Sequence, residues 1–406
     1  MTADLATALR GDPADPELRR RARAWLTRAV EPGSTELWRW VEHHGPVGAA
    51  QALAGQTAPS RLQALVGARA GEDRSVEDLR RADVLGARLV TPEDDEWPAL
   101  PLHSLTLAAD RQPAGVDRTT ALVPPLALWV RGPARLDALV DRSVALVGSR
   151  ASTAYGEHVA GDLAHGLTGR GFTTVSGGAF GIDAAAHRGA VAAGGPTVVV
   201  LACGVDRPYP AGHARLFDRV LEDGLLVSEW PPGCAPLRHR FLVRNRLIAA
   251  LTRGTVVVEA AARSGAQATA HRARSLGKVL MAVPGPVTSA LSVGCHQLMR
   301  AGEQPALLVT SAADVVEAVG DLGTDLAAVA VTSTGPRDEL SDIARRVLDA
   351  CPVRVGVPPE RLAVAAGCSE LDVLRVLPAL ELTGLVEWTG TGWRVTRDAA
   401  VGGAAG

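Results

Sequence analysis

From residue 143 onward the chain alternates two patterns. Short, nearly continuous apolar runs rich in β-branched residues give way to longer segments whose apolar residues recur every three to four positions. The runs fall at 144–147, 173–175, 197–201, 225–227, 255–258, 279–283 and 306–309. Strands apolar throughout are buried on both faces, so their alternation with helices predicts a parallel sheet covered on each side, an α/β architecture. The ligand site of such a sheet lies beyond the carboxyl ends of its strands.

The flanks read differently. Helical spacing covers 16–30, 34–43, 47–53 and 59–70, with loops at Gly33, Gly45-Pro46 and Gly55 between. Gly45-Pro46-Val47-Gly48 faintly resembles a helix-hairpin-helix turn, whose amides can hold phosphate; plain helix packing is the stronger reading. Residues 87–135 are Pro-rich and predict short extended pieces draped on the sheet domain, because Trp97, Leu100, Leu128 and Trp129 need burial. Beyond residue 310, a short helix and a soft Ala/Thr/Ser/Gly-rich stretch lead to helices at 339–350, 359–366 and 370–382, then a hairpin. Ser369 with Asp372 reads as a capping box for the third helix. Three helices and a wing predict a winged-helix module. Its third helix carries Glu370, Asp372 and Glu381 against Arg375, a face that repels phosphate, so the module reads as a protein contact or spacer. The expected domains are a helical one over 1–85 (SAM- or helix-hairpin-helix-like), the α/β domain over 86–320 including the Pro-rich extension, a linker over 321–337, and the winged helix over 338–398.

Composition narrows the class. A chain of 406 residues exceeds one ordinary core, and 47% hydrophobic with 21% charged residues describes a folded, soluble protein. No uncharged apolar run is long enough to span a bilayer, and the N-terminus has no basic region before an apolar core, so no membrane contact and a cytoplasmic location are expected. Five scattered cysteines form no Cys-x-x-Cys pair and meet no His at zinc spacing. Reduced thiols, no metal and no cofactor follow.

Charge is distributed unevenly. Between Trp230 and Gly302 stand Arg238, Arg240, Arg244, Arg246, Arg253, Arg263, Arg272, Arg274, Lys278 and Arg300 against one acid, Glu259. Ten cations against one anion leave +9 there, so the rest of the chain carries −11 to reach the net −2. Clustered arginines focus the field that holds a polyanion. Phe241 sits among Arg238, Arg240, Arg244 and Arg246, and cations around a stacking face suit single-stranded nucleic acid. The rival reading, pairing with distant carboxylates, is the weaker because acids are absent from the segment.

The predicted strand ends hold small and polar residues: Gly148-Ser149-Arg150, Ser176-Gly177-Gly178, Cys203-Gly204-Val205-Asp206, and Glu259 leading to Arg263-Ser264-Gly265. Small residues there let backbone N–H groups and helix N-termini approach an anion. Neither Gly-x-Gly-x-x-Gly nor a P-loop occurs, which removes ordinary dinucleotide and NTPase readings.

Val147-Gly148-Ser149-Arg150, Val175-Ser176-Gly177-Gly178, Gly181-Ile182-Asp183, Tyr209-Pro210, Ser228-Glu229, Arg244-Asn245-Arg246, Val258-Glu259-Ala260, Ser264-Gly265 and Val283-Pro284-Gly285 are similar in order and spacing to the DprA/Smf family, over roughly 143–311. The resemblance implies a Rossmann-like central domain that binds single-stranded DNA without catalysis, dimerises, and loads RecA during transformation. It implies a phosphate pocket at Arg150 and Arg238 and a stacking ring at Phe241. Ser149, Gly177, Gly178, Arg244, Asn245, Arg246, Ser264 and Gly265 would complete the DNA path. Phe180, Leu242 and Cys295 depart from the family pattern, where Arg, Pro and Asn are usual. The competing reading is a nucleotide-binding or phosphoribohydrolase-type Rossmann protein, which needs a Pro-Gly-Gly-x-Gly-Thr loop and a catalytic glutamate. The stretch after Val257 lacks both, leaving Glu259 as a structural acid, Asp183 as a helix cap and His187 as packing.

Overall fold

The computed structural model describes residues 8–67, 69, 72–113, 115–302, 304–321, 325 and 340–396. The chain divides into two compact units, residues 1–327 and 328–406. The linker expected at 321–337 lies, apart from residues 321 and 325, outside the described residues.

In the first unit all seven apolar runs form strands: β3 (Ser143–Val147), β4 (Thr173–Ser176), β5 (Thr197–Val200), β6 (Leu225–Ser228), β7 (Gly254–Val257), β8 (Val279–Ala282) and β9 (Leu307–Leu308). They pair in parallel throughout. The Pro-rich extension adds β1 (Ala87–Val90) and β2 (Leu128–Arg131), antiparallel to each other, with β2 also antiparallel to β6. The extended pieces expected over 87–135 are found only in part: Ala99–Arg111 is a helix and Leu100 is exposed rather than buried, while the two strands join the sheet through partners that only distant chain supplies. The order is β1-β2-β6-β5-β4-β3-β7-β8-β9.

β3 lies between β4 and β7, with Ala145 opposite both Val175 and Thr255. The chain winds outward from β3 one way through β4 to β6, then returns to build β7 to β9 on the other side. The crevice of such a reversal opens beyond the carboxyl ends of the two central strands, here past Val147 and Val257.

Both faces of the sheet are covered, as the unbroken apolar runs require. Ala145 and Val147 enter one core with Leu247, Ile248 and Ala270, while Val144 and Leu146 enter the opposite core with Leu163, Leu167 and Val315.

The N-terminal helices are α1 (Pro16–Ala29), α2 (Thr35–Ala54), α3 (Ser60–Val66) and α4 (Ser75–Val84). The two helices expected on either side of Gly45-Pro46 join as α2, kinked where Gly45 adopts φ 71° and ψ 162°. Ala24 of α1 and Ala82 of α4 share a core with Leu89, Trp129, Val199, Phe217 and Leu226, so these helices are built onto the sheet rather than held apart from it.

In the second unit the helices Asp342–Ala350, Pro359–Ala366 and Glu370–Leu382 precede a hairpin of Val386–Trp388 and Trp393–Val395. Three helices and a hairpin thus follow in the order expected from the sequence. Ser369 Oγ accepts the amide of Asp372 at 3.2 Å, but the expected reciprocal bond is replaced by the Ser369 hydroxyl donating to Asp372 Oδ2 at 2.6 Å.

Candidate nucleic-acid interface

Three loops converge beyond β3, β4 and β7, tied by short backbone bonds. The Ser149 amide donates to Glu259 O (2.8 Å), and the Ile182 amide donates to Ser149 O (3.2 Å). Gly181 allows this approach: its φ is 76°, and a Cβ there would lie 2.8 Å from Arg150 O. Asp183, in the first turn of α8 (Ile182–Ala192, where α5 to α7 are Ala99–Arg111, Leu136–Asp141 and Ala154–Thr168), accepts the amides of Gly177 (3.2 Å) and Ala179 (3.3 Å). Burial pushes its carboxyl up, opposed by Arg244 and those amides. Asp183 therefore clasps the loop after β4 rather than capping only its own helix.

Glu259 is similarly occupied. Its Oε2 accepts the Thr153 amide at 2.9 Å and its Oε1 accepts the Thr153 hydroxyl at 2.5 Å, fixing the entry to α7. His187 is fully buried with Nδ1 2.8 Å from Thr197 Oγ1, and burial lowers its pKa to about 3. It remains a neutral packing group.

The opposite wall is α10 (Arg238–Ala250), which follows α9 (Ala214–Asp223) and β6. Arg244 turns inward. Its Nη1 donates to Gly177 O at 2.9 Å and to Val200 O, and its Nε donates to Asn245 Oδ1 at 3.2 Å. A Cβ on Gly177 would fall 2.5 Å from both terminal nitrogens, so glycine is what leaves room for the guanidinium. Burial pulls Arg244 down to about 10, which keeps it cationic at neutral pH.

One turn earlier, the half-buried Phe241 ring has Arg150 Cζ 5.1 Å and Arg244 Cζ 6.0 Å from its centroid. Tyr209 meets its edge at 5.9 Å. Cations over a ring face are attracted by its quadrupole, and the same face is shaped to stack on a base.

These walls enclose an open cleft of about 480 Å³. Seven of the eleven residues expected on the DNA path line it: Ser149, Arg150, Phe241, Arg244, Asn245, Ser264 and Gly265. Ser264 Oγ is buried without a hydrogen-bond partner among the described residues, at the N-terminus of α11 (Gly265–Ser275), where backbone amides favour an anion. Gly177 lies beneath Arg244, and Gly178 backs onto Val199 and Phe217. Arg238 is exposed at the first position of α10, on the helix face it shares with Phe241.

Arg246 does not belong to this surface. It is fully buried, holds both oxygens of Glu229 at 2.6 Å, and donates through Nε to Val123 O at 2.8 Å. Its place three residues from Val243 and two from Arg244 turns it to the core side of α10. Arg263, which the sequence reading left off the path, is exposed and lines the cleft. Its position immediately before Ser264-Gly265, in the acid-poor segment, was the available signal.

The acid-poor segment is also less free than expected. Arg240 pairs with Glu31 at 2.5 Å, Arg246 with Glu229, and Arg253 with Asp321 at 2.8 Å. Glu31 and Asp321 come from distant sequence and Glu229 lies just before the segment, so a charge count within it registers none of them.

The N-terminal helices grip the chain entering α10. Arg28 donates to Pro232 O at 2.8 Å, and Arg81 pairs at 2.6 Å with Asp206, whose other oxygen accepts the Gly233 amide at 2.8 Å. Glu31 also accepts the Trp230 indole N–H at 3.0 Å. Burial alone would push the Glu31 carboxyl up, but bonds from Arg240 and Trp230 and the Arg240 charge outweigh it, leaving the group below its ordinary value.

All five cysteines are free, and no cluster able to hold a metal occurs among the described residues. No helix among them is long and apolar enough to cross a membrane.

A protein of Mycobacterium tuberculosis carrying the DprA name is 48% identical over 381 residues, covering 94% of this chain and 95% of that one. The DNA processing protein DprA of Streptococcus pneumoniae is 43% identical over 192 residues, 47% of this chain and 66% of that protein. The X-ray structure of DprA from Streptococcus pneumoniae superposes with a TM-score of 0.56 at 30% identity, covering 73% of this chain and 96% of the other. With residues 88–320 matching the family defined as DNA recombination-mediator protein A, and the sheet and cleft above falling within that match, the chain belongs to that family.

Proposed function

We propose that this protein binds single-stranded DNA in the cleft beyond β3 and β7, without catalysis, in the cytoplasm, as part of DNA processing for transformation and recombination. The observation that carries the reading is the Phe241 ring, half-buried and faced by Arg150 and Arg244 in an open cleft that Arg263 also lines, with the exposed Arg238 one turn before the ring. Phosphate neutralisation beside a stacking ring is the chemistry of sequence-tolerant single-strand binding.

The phosphoribohydrolase alternative needs a carboxylate free to activate water. Both oxygens of Glu259 are bonded to Thr153, and Asp183 is bonded to loop amides, which favours binding over hydrolysis.

RecA loading and homodimerisation extend the proposal from the family. The apolar stretch 279–299 offers little surface for a dimer, since Leu280, Met281 and Leu298 are buried. The exposed Leu307 and Leu308 on the edge strand β9 give a dimer better support. Titrating labelled single-stranded and blunt duplex oligonucleotides, with calorimetry against mononucleotides, tests the reading. Tight single-strand binding with weak duplex binding upholds it, and equal duplex affinity or mononucleotide binding alone overturns it.

A further inference from the structure

Phe180 is a largely exposed aromatic residue beside the cleft. Its side chain is 51% exposed, yet it is held in one orientation: its ring meets the buried His213 ring edge-on at 4.5 Å. His213 is fixed in turn, with Nδ1 3.0 Å from Gly178 O, where it donates its N–H. The flanking residues place the ring at the mouth of the cleft. Ala179 lines the cleft, and Gly181 packs on the backbone of Ser149 and Arg150.

The 209–213 segment links this ring to the cleft's own. Tyr209, 47% exposed, leans on Phe241, while His213 at the other end of the segment holds Phe180. Three exposed or half-exposed aromatic side chains thus stand along one rim, in a protein with four phenylalanines, two tyrosines and eight tryptophans in all.

We infer that Phe180 forms a second base-stacking subsite, which takes a further nucleobase of the strand whose phosphates and first base occupy the Arg150–Phe241 cleft. The inference rests on the proposed single-strand reading of that cleft. An aromatic face accepts any base, so the subsite extends the footprint of the protein on the strand without adding sequence preference. It also changes the chemistry of the rim: the ring contributes stacking at a place where a cation would contribute only salt-sensitive attraction.

The test compares the intact protein with Phe180→Leu, which keeps an apolar side chain on His213 but removes the stacking face, and with Phe180→Tyr, which keeps the face. Each is titrated by fluorescence anisotropy with labelled oligo(dT) and with an abasic strand of equal length and charge. Phe180→Leu is expected to weaken oligo(dT) binding roughly 5- to 150-fold, the range of one base–ring stack. Binding of the abasic strand stays unchanged, and Phe180→Tyr retains the parent affinity. If Phe180→Leu binds oligo(dT) like the parent while Phe241→Leu and Arg150→Ala lose affinity, the subsite is wrong and the cleft stands. If none of the three matters, the cleft reading fails with it. Equal loss on both strands also overturns the subsite, since an effect without bases is not stacking.

Discussion

Glu31 and Arg240 close a 2.5 Å ion pair across 209 positions of sequence, joining the segment after α1 to the first turn of the helix that carries Phe241. Neither residue lines the cleft, so the pair acts by fixing where α10 begins. Glu31→Gln is expected to lower single-strand affinity several-fold. The lowered folded-state pKa of Glu31 means that its contribution is present above the unfolded carboxylate value of about 4.3 and is lost as pH falls through the folded value. Thermal unfolding from pH 7 down to pH 3 should therefore show a shallower acid limb in Glu31→Gln than in the parent. Superimposable limbs would remove the pair from the account.

Arg246 and Arg150 should separate cleanly. Arg246→Ala leaves Glu229 buried and unpaired, a loss of about 3–5 kcal/mol, whereas Arg150→Ala and Arg238→Ala remove exposed side chains and leave the melting temperature nearly unchanged. Oligonucleotide titration should show the reverse order, with the exposed arginines costing affinity. A destabilised Arg150→Ala with intact binding would contradict the assignment.

Gly177→Ala places a methyl group 2.5 Å from the Arg244 guanidinium. The buried arginine must swing away from Gly177 O and Val200 O, so both stability and single-strand affinity should fall. Circular dichroism melting and anisotropy on the same sample measure the two losses. Parent-like values in both would show that Arg244 tolerates another seat.

Salt should report the number of phosphates engaged. Arg150, Arg238, Arg244 and Arg263 are four cations in or beside the cleft, which at roughly −0.7 per contact gives a slope near −3 for log affinity against log salt. Affinity independent of salt would leave the arginines without a phosphate role.

Removing residues 337–406 should spare single-strand binding. The third helix of that unit, Glu370–Leu382, carries Glu370, Asp372 and Glu381 with Arg375 as its one cation. A truncated protein that no longer shifts oligonucleotides would assign DNA contact to the second unit.

The sequence by itself determined the parallel sheet, because its β-branched apolar runs, the exposed edge strand β9 apart, call for burial on both faces, and it determined the small residues at the strand ends. It also marked Arg150, Phe241 and Ser264-Gly265, which are legible as motifs because their chemistry is local. Tertiary structure alone decided which arginines remain available. Arg240 and Arg246 lie beside Phe241 in sequence, but helix geometry turns them toward Glu31, 209 positions away, and Glu229, just outside the acid-poor segment. It also decided that β1 and β2 join the sheet, and that Phe180 stands at the cleft's mouth on His213. Charge pairing, strand partnership and ring contact each depend on residues far apart in the chain, and only folding brings those together.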